Sequence, residues 1–595
     1  MNSTTATVGT AAGLACGTAW LAYRSRTRTR KPAYCSDDPN TNAEVTSNFD
    51  YNPLKQGFST KKIPSNLDVI VIGSGIGGLT TAAILAKGGK KVLVLEQHDI
   101  AGGNLHTFTE RGYEFDTGLH YIGGGIGASD SDKHHKRSPS RKLLDYITDE
   151  KIEWKKMDDV YDLAISGNEE YRFCAGWTNL KKELKASFPE EAAAIDKYFS
   201  IVHKTAEFLF PIFLALKMLL PETAFKFCTE WLFDRQLGIF KQTTNQVLET
   251  ITNNRKLMGV LSYHYGDYGE VPNRGAFVMN ALIANHYRGG AYYPVGGPLK
   301  ISESIVRLIE KCGGKVLVRS AVDSILIDDR NRACGVVVNG REILAKSIVS
   351  SVGAPATLTK LVPESHRRTL VGRQIDAMKH PDVSSNVSLM TMFVGINDAD
   401  GTLDLPKRND WIHASWDHDG NMAEHRKDCG NKMPAFFISF SSAKDPTYAS
   451  RHPGKHVALV IGPCCYDDVE RFKDDRVKHR SDEYAAMKDK WREVFMGVLL
   501  DRYPELRDKV DFVDFGTAVT NDYYLGTHRG AVYGLAHTPK RFGQHWLRAK
   551  TPIKQLYLTG QDVVCCGIFG ALTGGYMCAY AMSPRSLFHT LSLWI

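Results

Sequence analysis

Three glycines and one acid carry the first chemistry legible in this chain. Gly73, Gly75 and Gly78 stand in G-x-G-x-x-G spacing, and Glu96 follows Gly73 by 23 residues. Glycine first permits a tight turn. Glycine second lets a pyrophosphate approach bare backbone, and glycine third lets a helix pack close to a sheet. The N–H groups at that helix start suit phosphate, and Glu96 can accept hydrogen bonds from ribose hydroxyls. The pattern predicts a site for the ADP half of a dinucleotide.

Two further segments extend the site. AGGNLHTF (101–108) brings Gly102 and Gly103 close behind Glu96, where bare backbone could meet the cofactor's middle. Far away, LYLTGQDVVCCGIFGALTGG (556–575) holds Gly560 and Asp562, then Gly567 and Gly570 at the start of an apolar run. Asp562 can hydrogen-bond a ribityl or pyrophosphate group. A helix start there would present N–H groups to the electron-rich end of a flavin. NAD requires only the first segment, so the three together predict FAD.

These residues need elements to hold them. DVIVI (68–72) and the run ending at Glu96 read as strands around a helix, a βαβ unit; Leu556–Thr559 reads as another strand. Residues 315–355 read as a meander of short strands with turns at Asp328–Arg332 and Asn339–Gly340, returning at Ser350–Gly353. The predicted class is α/β: a discontinuous Rossmann-like FAD-binding domain from 66–145, 290–360 and 550–590. An α+β substrate domain from 146–289 and 361–549 is inserted into it. Segments such as 455–463 and 511–520 suggest a mixed sheet backed by helices.

At 595 residues, 43% hydrophobic and 24% charged, the chain has ample material for two cores. Arg24, Arg26, Arg28, Arg30 and Lys31 supply five of the net eight positive charges, so the rest gives a nucleic-acid partner no support. Twelve scattered cysteines lack C-x-x-C spacing and predict mostly free thiols, neither a disulfide framework nor a metal site. His134 and His135, in a Ser/Lys-rich loop, read as solvated.

Residues 1–31 combine an uncharged run, Ala6–Tyr23, with a basic flank. They read as a membrane anchor or a targeting segment, with the flank cytosolic if the run inserts. Residues 32–65 read as a polar linker. A second apolar stretch, Phe208–Phe233, reads either as core helices or as a membrane-facing surface at the mouth of a lipid tunnel. Lys217 and Lys226 suit the interface.

The chain resembles the flavin amine oxidase and phytoene desaturase superfamily, and within it the retinol saturase and carotenoid isomerase branch. AGGNLHTF (101–108), GLHYIGGG (118–125), YGDYGEVP (265–272), NHYRGGAYYPVGG (285–297), FISFSSAKDPTYASRHPGK (437–455) and LYLTGQD (556–562) carry the likeness. It implies FAD held by Gly73, Gly75, Gly78, Glu96, Gly102, Gly103, Gly560 and Asp562, with Val322 meeting the adenine through its backbone. Residues 293–297 would lie near the flavin ring or the substrate entrance. Val295, Pro298 and Asn104–Leu105 depart from the pattern and bear on the substrate, not on the cofactor.

The implied reaction acts on a carbon–carbon double bond of a hydrophobic polyene, a retinoid or carotenoid. It is saturation of the 13,14 bond of all-trans-retinol, with carotenoid isomerisation or desaturation as the alternative. The implied setting is a membrane, that of the endoplasmic reticulum. Saturation needs a hydride and a proton. The 264–293 block offers His264, His286 and several tyrosines, and His286 is the candidate proton donor; a structural histidine and water are its rivals. Only one dinucleotide fingerprint is evident, so NADPH or NADH would have to reduce the flavin at an unmarked site.

Overall fold

Val69–Ile72 and Val92–Leu95 are unbroken runs of Val, Leu and Ile, buried along their whole length. Such strands need cover on both faces, which helices on a parallel sheet provide. In the computed structural model, which describes residues 51–127, 138–384, 387–429, 432–476 and 479–584, they are β1 and β2 of a five-stranded parallel sheet. The others are β3 (Lys315–Leu317), β4 (Ser347–Ser350) and β5 (Leu556–Leu558), in the order β5-β4-β1-β2-β3. Three remote stretches of chain thus build one sheet.

Glycine contacts lock those stretches together. Helix α1 (Ile76–Lys87) crosses helix α2 (Gly567–Met582) at very short range. A Cβ on Gly77 would lie 2.5 Å from Gly560 Cα, and one on Gly575 would lie 2.6 Å from Thr80 Cβ. At the crossing, the Thr81 and Thr559 hydroxyls share a 2.9 Å hydrogen bond. Close packing here depends on Gly77, Gly575 and Gly560, the last of which is also a predicted cofactor contact.

A seven-stranded mixed sheet forms the second layer. Its order is Val510–Gly516, Ser388–Asn397, Lys455–Cys464, Ala435–Ser439, Asn409–His413, Val160–Ser166, Glu169–Cys174. All neighbours run antiparallel except Asn409–His413 beside Val160–Ser166. Alternating burial along Ser388–Asn397 sends Met390, Met392 and Val394 into the core beneath helix Asp482–Arg502.

Several expectations are corrected here. The described part of the predicted linker, 51–65, is docked. Leu54 is buried, Phe58 N–H donates to Val318 O, and Gly57 bridges Val318 beside β3. The expectation of mostly unlinked thiols holds for eight described cysteines, and one disulfide joins Cys429 to Cys465, because the end of helix His418–Lys427 meets the end of strand Lys455–Cys464. Lys217 points inward, its Nζ donating to Val563 O at 2.6 Å, so it is no interfacial cation. The 1–31 segment and the His134–His135 pair lie outside the described residues.

The Phe208–Phe233 stretch is a series of short helices with two faces. Helix Phe210–Leu219 lines the central cavity with Phe210, Leu214 and Met218. Phe208, Phe227, Trp231 and Leu232 face outward, Trp231 being 77% exposed. Pro189–Leu219 is the one helical run among the described residues long and apolar enough to cross a membrane, and a third of its apolar window is buried.

Candidate cofactor and substrate site

The loop between β1 and α1 leaves room where a pyrophosphate would sit. Gly75 is the N-cap of α1 and supplies no capping side chain, so first-turn N–H groups lack a side-chain partner. A Cβ on Gly75 would meet nothing within 4 Å. Gly78 instead serves packing, since its Cβ would lie 2.4 Å from Gly73 O. Gly103 closes on the same turn, a Cβ there lying 2.9 Å from Gly75 Cα, and Gly102 N–H donates to Ser74 Oγ at 3.0 Å.

Glu96 is more constrained than its spacing reveals. Oε2 accepts from Ser74 N–H (2.9 Å) and Ser74 Oγ (2.6 Å). Oε1 lies 3.1 Å from His98 N and 3.0 Å from His98 Nδ1. Burial works against the charge, but the His98 and Ser74 hydrogen bonds prevail and hold the carboxyl at about 2. Ribose hydroxyls would have to displace or share these partners. Val322 begins a strand close by: Ser320 N–H donates to Glu96 O and Arg319 N–H to His98 O.

At the other end, Asp562 is buried and holds two loops. Oδ2 accepts from Ala354 N–H at 2.7 Å, and Oδ1 from Leu535 N–H at 3.0 Å. Gly560 adopts φ +86°, which favours glycine, and abuts α1. Helix α2 starts without a side-chain cap at Cys566, and Gly567 faces open space. Two uncapped helix starts, one beside a ribose-competent carboxylate, fit the phosphates and the electron-rich ring of FAD.

Between the seven-stranded sheet and the start of α2 lies a cavity of about 3130 Å³, including its mouth. Drug-sized sites hold roughly 300–1,000 Å³, so this one has room for a flavin ring and a long ligand together. Tyr121, Tyr287, Trp411, Phe437, Phe569 and Met577 line it. Tyr121 stacks on Tyr287 with centroids 4.7 Å apart. Residues 293–297 stand behind this wall: Tyr293 is buried and donates to Asp116, and Gly296 N–H donates to Asp445.

His286 lies on the wall beside Phe569. Its Nε2 accepts from Gly123 N–H at 2.8 Å, so that nitrogen carries no proton. Burial pushes the imidazole down to about 4, leaving it neutral near pH 7. This geometry suits a structural histidine better than a proton donor. His264, also buried, is pushed down to about 4 by burial.

The sequence did not single out the acids around this wall. Asp162 accepts from Tyr121 (3.2 Å), Tyr263 (2.9 Å) and Asn409 (2.9 Å). Asp116 accepts from Tyr293 at 2.8 Å. Lys444 Nζ donates to Ser439 Oγ (2.7 Å), Asn409 Oδ1 (2.5 Å) and His120 O (3.0 Å). Burial raises both carboxyls and lowers the ammonium, bringing all three to about 7. Asp267 lines the cavity and has an unpartnered buried oxygen. Asp267 and Lys444 stand in the YGDYG and SAKDP segments, yet no local pattern marks their place on this wall.

Residues 71–135 match the family model of the NAD(P)-binding Rossmann-like domain. The chain is 37% identical to the all-trans-retinol 13,14-reductase of Danio rerio over 90% of this chain and 89% of that one. The chain belongs to the retinol 13,14-reductase family. A second family member from Danio rerio, named an inactive all-trans-retinol 13,14-reductase, is 32% identical over 90% of this chain and 88% of its own. The chloroplastic prolycopene isomerase of Arabidopsis thaliana is more distant, at 25% over 89% and 84%. Among solved structures, an oxidoreductase from Methanosarcina mazei aligns with TM-score 0.58 and 16% identity over 86% of this chain and 99% of that one. Wild-type putrescine oxidase bound to putrescine aligns with TM-score 0.54 and 13% identity over 87% and 99%. These two likenesses show the fold, in agreement with the expected α/β class built on a discontinuous Rossmann-like domain.

Proposed function

We propose that this family member is an FAD-dependent oxidoreductase that saturates the 13,14 double bond of all-trans-retinol, giving 13,14-dihydroretinol. The observation that carries this reading is the 37% identity to a retinol 13,14-reductase across both chains. Membership alone is insufficient, since one relative is named inactive. The open glycine cradle and the ionised Glu96 add physical support.

FAD, when bound, would supply the hydride and the two electrons of the reduction. Gly73, Gly75, Gly102 and Gly103 would admit its pyrophosphate while Gly78 lets the helix pack close, Glu96 would hold its ribose and Val322 its adenine. Gly560 and Asp562 would shape the ribityl end. The tyrosine wall would hold the polyene in a dry slot, which suits an alkene that no carbonyl polarises. NADPH or NADH would be the electron donor at a surface without a second fingerprint.

The outward aromatics at Phe227 and Trp231, on the segment that also lines the cavity, support a membrane-seated mouth through which retinol enters from lipid. The apolar Ala6–Tyr23 run supports membrane anchoring, with the endoplasmic reticulum as the setting the family resemblance implies.

Anaerobic incubation of purified protein with dithionite and all-trans-retinol tests the reading. The expected product has gained two hydrogens by mass spectrometry, and the protein is yellow. Unchanged mass with a shifted isomer would assign the isomerase chemistry of the more distant relatives; colourless protein that takes up no offered FAD would end both.

A further inference from the structure

We propose that Asp267 is the general acid of this site, giving its carboxyl proton to the alkene carbon next to the one that receives hydride. The assignment rests on the proposed polyene reduction and deepens it. Asp267 ends the 3-10 turn Tyr263–Asp267 and lines the cavity. The Cys566 thiol contacts its backbone carbonyl at 3.6 Å, which sets Asp267 against the start of α2, where the flavin ring would lie.

What distinguishes Asp267 from its neighbours is the lack of a partner. Its Oδ2 is buried and accepts or donates no hydrogen bond, and among the described residues it makes no ion pair. Asp162 and Asp116 are engaged by tyrosine hydroxyls. The Nε2 of His286 is already an acceptor. A carboxyl oxygen buried without a hydrogen bond, like this Oδ2 on a half-buried residue, is unfavourable unless the group stays protonated or gains a partner with the ligand. The groups within its electrostatic reach are the phenols of Tyr121, Tyr263, Tyr268, Tyr287 and Tyr533, the Cys566 thiol and the Asp162 carboxyl, none of them cationic. Burial first, then Asp162, pushes Asp267 well above the usual carboxylate range. That direction favours the protonated carboxyl at the slot, the form a general acid must take.

The step balances. The π bond of the polyene breaks. One carbon forms a C–H bond with the hydride delivered from reduced flavin, the reductant. The neighbouring carbon forms its C–H bond with the Asp267 proton as the O–H bond breaks. The alkene has gained two electrons and two hydrogens, the flavin is left oxidised, and the Asp267 carboxylate regains a proton from water.

The test uses full-length holoprotein, reduced anaerobically and mixed with all-trans-retinol, comparing wild type with Asp267→Asn and Asp267→Leu. The expected result is a loss of at least about 100-fold in the rate of flavin reoxidation for both variants, with KM changed by less than about threefold and flavin content unchanged. Wild-type rate should fall as pH rises through the acid's raised pKa, and the variants should lose that limb. Difference infrared spectra at pH 7 supply a readout independent of turnover: a protonated-carboxyl C=O band present in wild type and missing from D267N. If D267N does not accumulate as folded protein, D267L carries the same measurements, because an apolar side chain suits the site. A variant rate within threefold of wild type, or no band in wild type, overturns the acid. Wild type that binds flavin but never yields a dihydro product overturns the reduction and the acid together.

Discussion

Replacing Glu96 with Gln removes one charge and leaves its four donors aimed at an amide. The structure sets the magnitude. Glu96 is 5% exposed, so solvent screening is slight. Its carboxyl is lowered from 4.5 to about 2 by the His98 and Ser74 hydrogen bonds, against the opposing effect of burial. At about 1.4 kcal/mol per pH unit this corresponds to about 3 kcal/mol of stability at pH 7. Because the folded value lies below the unfolded one, the contribution is fully present above pH 4.5 and lost as pH falls through 2. About 2 kcal/mol should remain at pH 3.5. With an unfolding entropy of about 2.1 cal/mol/K per residue, the E96Q melting temperature should drop by about 3 °C at pH 7. Scanning calorimetry of flavin-free protein between pH 7 and 3.5 reads this directly. A deficit that stays constant across that range, or no deficit at pH 7, refutes the claim that an ionised, hydrogen-bonded Glu96 organises the cradle.

Other outcomes follow from single contacts. Gly77→Ala would drive a methyl to within 2.5 Å of Gly560 Cα, backbone against backbone; a loss of about 2–3 kcal/mol is expected, measured as lower melting temperature and lower flavin-to-protein ratio. His286→Gln should keep activity within about fivefold and leave the pH profile unmoved, since the ring is neutral and an amide oxygen can still accept from Gly123. Changing both Trp231 and Leu232 to Ala should lower sedimentation with phosphatidylcholine vesicles at least about tenfold, given roughly 1.5–3 kcal/mol per buried apolar side chain, without touching flavin binding.

Local chemistry made the cofactor lobe legible. Val69–Ile72, Gly73, Gly75 and Glu96 follow one another in a single βαβ unit, so their spacing reports their geometry. The terminal strand and α2 were equally readable, because Gly560 and Gly567 punctuate an apolar run. The joining of these pieces through Gly77, Gly560 and Gly575 was not, since each glycine looks locally like a turn or a helix defect. Lys217 misled for a related reason. Its long stem sits on an apolar helix as an interfacial lysine would, and only the distant Val563 carbonyl turns it inward. His98 carries no motif at all, yet it occupies one oxygen of the carboxylate that spacing assigned to ribose. Residues 51–65 are polar enough to read as linker; their docking depends on the edge of β3, more than 250 residues away.

Reduction and isomerisation of a polyene can share one flavin cradle, because both begin with the ring held against conjugated carbons. They differ in their proton balance: isomerisation returns every proton it takes, whereas saturation consumes one from the protein in each turnover. The decisive feature is therefore an acid that is protonated, reachable from the slot and free of internal partners. Asp162 and Asp116 satisfy the first condition only in part and fail the third, since three side chains and one, respectively, already donate to them. The tyrosines are pushed up by burial and are poor acids. Asp267 is pushed well above the usual carboxylate range, lines the slot and has an Oδ2 without an internal partner. The same absence of a partner that makes it unfavourable for folding is what keeps its proton available, so stability and reducing chemistry pull in opposite directions at this one carboxyl.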